Sequence, residues 1–251
     1  MGRAVVVMKA ETAFVLGAGL GTRLRPLTER LPKPLLAVAG RPLIAAIFDR
    51  LVSVGVRRII VNTHHLAERY GDFFAERKWG GAELIFEYEP VLLDTAGGLK
   101  NIARHWQDDG PLLLHNGDIF STLDVRRVLE RHAELRAAHG VVCTLAVRSR
   151  EEPRHVRWRP GEGLVKGIHA GGAPGPGECD VLYAGVCVVE REFVGLIPAG
   201  IAIGLVAVWK EALRAGQRIG AVLCDEGEWT DIGTLEAYEE LNRRLAESRV
   251  C

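Results

Sequence analysis

The chain has 251 residues, 48% hydrophobic and 25% charged, a profile that fits a globular protein with a full core and excludes a disordered or fibrous one. Lys plus Arg (32) equals Asp plus Glu (32), so there is no global attraction to nucleic acid or to an anionic membrane, and any phosphate affinity must be local. Five cysteines, Cys143, Cys179, Cys187, Cys224 and Cys251, form no C-x-x-C pair, which argues against a zinc site or disulfide framework and suits core fillers in a reducing cytoplasm.

Residues 1–11 read as a tail, whose apolar patch Ala4 to Met8 is too short for a signal or a membrane span. Ala13 to Leu16 is an apolar run that predicts a buried strand. It breaks into Gly17, Gly19 and Gly21, then Thr22-Arg23, Arg25-Pro26 and Pro32-Lys33-Pro34. Successive backbone N–H groups in such a loop form an anion-binding nest. Arg23 forks onto phosphate oxygens, and Lys33, fixed between two prolines, adds a point charge. The loop is not a dinucleotide fingerprint, because Thr22 stands at the third glycine position. It is not a P-loop either, because Gly21 is followed by Thr22-Arg23.

Pro42 to Val54 has helical apolar spacing, stopped by Gly55. Arg58 to Asn62 predicts a strand, Leu66 to Glu76 a helix, and Ala82 to Tyr88 another strand. This alternation implies a mainly parallel sheet with helices on both faces. Asp94-Thr95-Ala96-Gly97-Gly98 leads into a helix expected near Lys100 to Trp106, with Thr95 as its cap and its N-terminus suited to an anion or to a plain turn. Pro111 to His115 predicts a central strand that ends in Asn116-Gly117-Asp118. Asp118 is then either a turn residue or a hard oxygen ligand where such sheets bind ligands. Leu123 to Ala138 reads as a helix and Gly140 to Val147 as a strand.

Between Arg148 and Cys179 the pattern loosens into short strands, His155 to Arg159 and Gly163 to Ile168, and a loop at Gly171 to Gly177 that reads as a surface excursion. Asp180 to Val189 returns to strand, Leu205 to Ala215 to helix and Arg218 to Leu223 to strand. In Trp229-Thr230-Asp231-Ile232-Gly233-Thr234, Asp231 either meets Asp118 across the site or, like Thr234, caps the helix from Leu235 to Glu247.

In this order, Gly17-x-Gly19-x-Gly21-Thr22-Arg23-Leu24-x-Pro26-Leu27-Thr28, Pro32-Lys33-Pro34-Leu35, Thr95-Ala96-Gly97-Gly98, Asn116-Gly117-Asp118 and Trp229-x-Asp231-Ile232-Gly233-Thr234 resemble the motifs of the sugar-1-phosphate nucleotidyltransferases. The short branch with mannose-1-phosphate guanylyltransferases and N-acetylmuramate-1-phosphate uridylyltransferases is the most similar. The resemblance implies an α/β, Rossmann-like mixed sheet flanked by helices and a single domain over residues 12–251. Nucleotide binding falls within about 12–147 and sugar binding within about 148–251. It implies NTP plus sugar 1-phosphate giving an NDP-sugar and pyrophosphate with Mg²⁺, and often a homodimer.

By the same resemblance Arg23 and Lys33 are catalytic. Leu16, Gly17, Ala18, Gly19, Gly21 and Thr22 wrap the nucleotide, with Gly97, Gly98 and Asn116 nearby. Asp94, Thr95, Gly185 and Lys166 serve the sugar, and Asp118 and Asp231 hold Mg²⁺. The Glu-Lys-Pro segment of many members is missing, with Lys166, Arg157 and Arg159 as substitutes. GTP with mannose or heptose 1-phosphate is favoured. UTP or CTP with another phosphorylated acceptor, or a regulatory domain without turnover, are the alternatives.

Overall fold

The computed structural model describes residues 9–169 and 171–248, so most of the expected tail and Cys251 lie outside the described residues. The first part contains β1 (Thr12–Leu16), β2 (Ala37–Val38), β3 (Arg41–Pro42), α1 (Leu43–Ser53), β4 (Arg58–Thr63), α2 (Arg69–Phe73), β5 (Lys78–Trp79), β6 (Ala82–Tyr88), α3 (Asp94–Ile102) and β7 (Leu112–Asn116). There follow β8 (Ile119–Ser121), α4 (Val125–His139), β9 (Cys143–Arg148), β10 (Val156–Arg159), β11 (Leu164–Ile168) and β12 (Cys179–Val189). The chain then forms α5 (Arg191–Gly195), α6 (Leu205–Arg214), β13 (Ile219–Leu223), β14 (Trp229–Asp231) and α7 (Leu235–Glu247).

A 10-stranded sheet has the order β10-β11-β13-β9-β12-β7-β1-β4-β6-β5. β7, β1, β4 and β6 are parallel neighbours, as are β13 and β9, while β12 enters antiparallel between β9 and β7. The expected α/β sheet is therefore present, and it runs unbroken through both halves of the chain.

Strand alternation sorts the core onto two faces. Phe14, Ile60 and Leu114 pack with Leu99 of α3 and Trp209 of α6. Val15, Ile59, Val61 and Leu113 pack with Ile44, Ile47, Phe48 and Leu51 of α1 and with Val128 of α4. Each of the larger side chains, once buried, contributes about 1.5–3 kcal/mol.

Three local expectations change. α2 is shorter than the predicted helix, because Leu66 takes a left-handed φ of 51° and helical pairing begins only at Arg69. α3 starts at Asp94 rather than near Lys100, so Gly97 and Gly98 lie inside the helix. The residues beside Asp118 and Asp231 form a ribbon of their own, β8 antiparallel to β14, apart from the main sheet.

Candidate active site

A cleft of about 240 Å³ opens at the carboxyl ends of β1, β4 and β7, where parallel sheets bind ligands. It is lined by Leu16, Gly17, Ala18 and Gly19 of the glycine loop, by Lys33 and Pro34, and by Asn62, Glu89, Asp94, Thr95, Asn116 and Asp118. The glycine loop is held by specific contacts. Gly17 N donates to Asn62 Oδ1 at 2.8 Å, and a Cβ at Gly17 would lie 2.7 Å from Asn62 O. Gly21 has φ 61°, and Thr28 Oγ1 donates to its carbonyl at 2.8 Å. Thr28 O in turn accepts from His65 Nε2 at 2.7 Å, so His65 braces the loop from behind.

Opposite the loop, Lys33 Nζ lies 2.7 Å from Asp118 Oδ2 and 3.8 Å from Asp231 Oδ1. Lys33 is brought there by the single turn Lys33–Leu35, entered through Pro32. The β8–β14 ribbon sets Asp231 opposite Ile119, and Ile232 N donates to Asp118 O at 3.1 Å. Trp229 Nε1 anchors the ribbon to Ala184 O at 2.9 Å. Thr234, not Asp231, caps α7, its Oγ1 accepting from Ala237 N.

Burial raises the Asp231 carboxyl above its ordinary range and the Asp118 charge adds to the shift, against Lys33, a Gly233 backbone bond and Arg23. Arg23 is exposed, and its guanidinium lies 3.1 Å from the place of a Gly233 Cβ. Among the described residues no three His, Cys, Asp or Glu side chains converge as a metal cage. Asp118 in the cleft lining, with Asp231 on the other side of the same ammonium, nonetheless fits Mg²⁺, which is commonly held by one or two carboxylates together with substrate phosphates.

Other expected positions also make structural contacts of their own. Thr95 Oγ1 accepts from Leu205 N at 2.8 Å, so it caps α6 rather than its own helix. Ala96 N and Gly97 N both donate to Ile203 O at 3.0 Å. The α3 N-terminus is thus filled by the chain itself, not left for an anion. Gly97 and Gly98 are buried packing positions, where a Cβ would lie 2.6 Å from Ile201 O and 2.8 Å from Asn62 Nδ2 respectively. Gly185, with φ 82°, packs against Ile119 and Asn116 behind the cleft wall. Asp94 lines the cleft in a left-handed conformation, φ 60°.

Lys166 is not in this cleft. It pairs with Glu162 at 2.5 Å and borders a separate surface groove with Lys210 and Arg214. Arg157 is engaged by Asp180 and by the carbonyls of Gly171 and Gly172, and Arg159 by Glu162 and Glu178. All three substitutes for the missing lysine are tied into local structure.

Sequence reasoning missed Asn62 and Glu89. Asn62 Nδ2 donates to Glu89 Oε1 at 2.8 Å, and Glu89 Oε2 accepts from Leu93 N at 3.2 Å. Both are almost fully buried in the cleft wall. The available signal was a polar residue at the carboxyl end of each of two predicted strands.

A glycine loop after the first strand, a lysine between two carboxylates and this sheet define a nucleotide-transferring α/β enzyme. The chain belongs to the nucleotidyl transferase family, whose profile matches residues 12–155. It is 31% identical over 245 residues to the N-acetylmuramate alpha-1-phosphate uridylyltransferase of Caulobacter vibrioides, covering 94% of this chain and 97% of that one. It is 29% identical over 227 residues to the mannose-1-phosphate guanylyltransferase of Mycobacterium tuberculosis, covering 90% of this chain but 62% of that one. In fold it is similar to HddC from Yersinia pseudotuberculosis complexed with GMP-PN, with a TM-score of 0.70, 18% identity, and 94% and 99% of the two chains covered. The family resemblance read from the motifs is borne out. No helix among the described residues is long and apolar enough to cross a membrane.

Proposed function

We propose that the protein joins an NTP to a sugar 1-phosphate, forming an NDP-sugar and releasing pyrophosphate in the cytoplasm. The observation that carries this reading is Lys33 set between Asp118 and Asp231 across from the glycine loop. The sugar phosphate oxygen is already a nucleophile, so no general base is needed, and the protein positions the in-line attack and offsets charge. Gly17 to Thr22 wrap the nucleotide, Arg23 holds the departing pyrophosphate, and Lys33 contacts the reacting phosphates. Asp118 and Asp231 hold Mg²⁺, which when bound neutralises charge on the triphosphate. Nucleotide binding is assigned to about 12–147 and sugar binding to about 148–251, with Asp94 facing the sugar. GTP with mannose or heptose 1-phosphate is the favoured pair, in a monomer or a homodimer.

Pyrophosphate release tests this with Mg²⁺, each of the four NTPs and a panel of sugar 1-phosphates. Release that requires one NTP and one sugar phosphate together supports the transferase. The engagement of Lys166, Arg157 and Arg159 favours a second reading, a sugar-nucleotide-binding domain without turnover. No release, with an NDP-sugar still raising the melting temperature, would support that reading.

A further inference from the structure

The turn that presents Asp118 is held by several hydrogen bonds, although Asn116 Oδ1 is buried without a partner among the described residues. Gly117 N donates to Leu16 O at 2.9 Å, Ile232 N to Asp118 O at 3.1 Å, and Lys33 Nζ to Asp118 Oδ2 at 2.7 Å. The carbonyl at the start of the turn, Asn116 O, accepts from His115 Nδ1 at 2.7 Å. A carbonyl oxygen only accepts, so Nδ1 must carry the proton.

His115 is fully buried, and its Nε2 has no hydrogen-bond partner among the described residues. A buried acceptor without a partner costs about 1–3 kcal/mol. Leu112, Leu113 and Leu114 precede it on the same strand and carry no such cost. Packing alone therefore favours leucine at 115, and the imidazole must contribute something else. Burial, the bond to Asn116 notwithstanding, lowers the ring's pKa to about 4, and the Arg50 charge acts in the same direction. The ring is neutral at pH 7, in the form that keeps Nε2 bare and Nδ1 as the donor.

We propose that His115 is a positioning residue for Asp118: its Nδ1–H bond to Asn116 O fixes the direction in which Asn116-Gly117-Asp118 leaves β7, and hence where the Asp118 carboxylate stands. The proposal rests on the reading of Asp118 as a metal ligand. Partners bonded directly to metal ligands typically carry 10–100-fold in metal affinity or activity, and His115, acting through Asn116 O, should carry about the lower end of that range.

The test is Mn²⁺ binding, with the metal alone, followed by water-proton relaxation in wild type, Asp118→Asn, His115→Leu and His115→Asn. Asp118→Asn should weaken binding. His115→Leu should weaken it by about 10-fold, and His115→Asn, whose Nδ2 stands where Nδ1 stood and keeps an N–H donor, should recover most of the loss. The Mg²⁺ KM should move in the same order. If Asp118→Asn weakens binding but His115→Leu does not, the positioning role is overturned and the metal reading stands. If wild type and Asp118→Asn bind Mn²⁺ alike, the metal reading falls and takes the proposal with it. Equal weakening by Leu and Asn also overturns the proposal, because it would show a packing role. Should the Leu variant fail to fold, His115→Met makes the same comparison.

Discussion

Lys33 Nζ donates to Asp118 Oδ2 at 2.7 Å and lies 3.8 Å from Asp231 Oδ1, so a single ammonium faces two carboxylates and offsets only one of their charges. The lysine and a divalent cation are drawn to the same oxygens. Lys33→Met should lower kcat by about 10²-fold or more, because a preorganised charge at the reacting phosphates is gone. Mn²⁺ affinity should be no weaker than in wild type, since the competing cation has left. Steady-state kinetics and metal titration check the two halves separately. A loss of Mn²⁺ binding would contradict the competition.

Arg23 projects exposed from the turn Thr22–Leu24, beside Gly233. Arg23→Lys should keep the charge and the fold but lose the two-pronged grip on phosphate oxygens, with kcat/KM falling about 10-fold. An unchanged kcat/KM, with the melting temperature also unchanged, would remove Arg23 from the reaction.

Thr95 caps a helix that is not its own. Thr95→Val should cost about 1 kcal/mol, as lost caps do, and lower Tm by about 2–4 °C for a chain of this size. Thr95→Ser should restore it. A Tm unchanged in the Val variant would show that the Leu205 N–H finds another partner.

His115 supplies a pH dependence of stability. Its folded pKa of about 4 lies below the ordinary histidine value of 6.5, so the unfolded chain binds the proton more readily. Its contribution to stability is complete above pH 6.5 and is lost as pH falls from there to about 4, at about 1.4 kcal/mol per unit inside that window. Urea midpoints measured from pH 7 to pH 4 should therefore fall less steeply for His115→Leu than for wild type. Parallel curves would contradict the assignment.

The strand–helix order and the lysine of the cleft were legible because they depend on local pattern: the apolar run before Gly17, and Lys33 between two prolines. Asp118 and Asp231 were legible as candidates, since each stands at a turn beside an aromatic or apolar strand. The role of Thr95 was not legible, because its partner Leu205 lies 110 residues away and offers only a backbone N–H. Gly97 and Gly98 look like loop glycines by composition, yet the close approach of Ile201 O and Asn62 Nδ2 makes them helix-packing glycines. Lys166 was a candidate by residue type alone. Its neighbour at i−4, Glu162, was in plain view and claims it.

The β8–β14 ribbon has a consequence for how the molecule comes into being. It joins a segment near the middle of the chain to one close to its end, beyond the residues matched by the family profile. While the chain emerges from the ribosome, the glycine loop, Lys33 and Asp118 are all present long before Asp231. A nascent or proteolytically clipped chain ending before residue 229 would carry the phosphate loop but only one of the paired carboxylates, and β8 would have a bare edge. The ribbon thus joins Asp231 to the site only once residues 229–231 have been made and paired with β8.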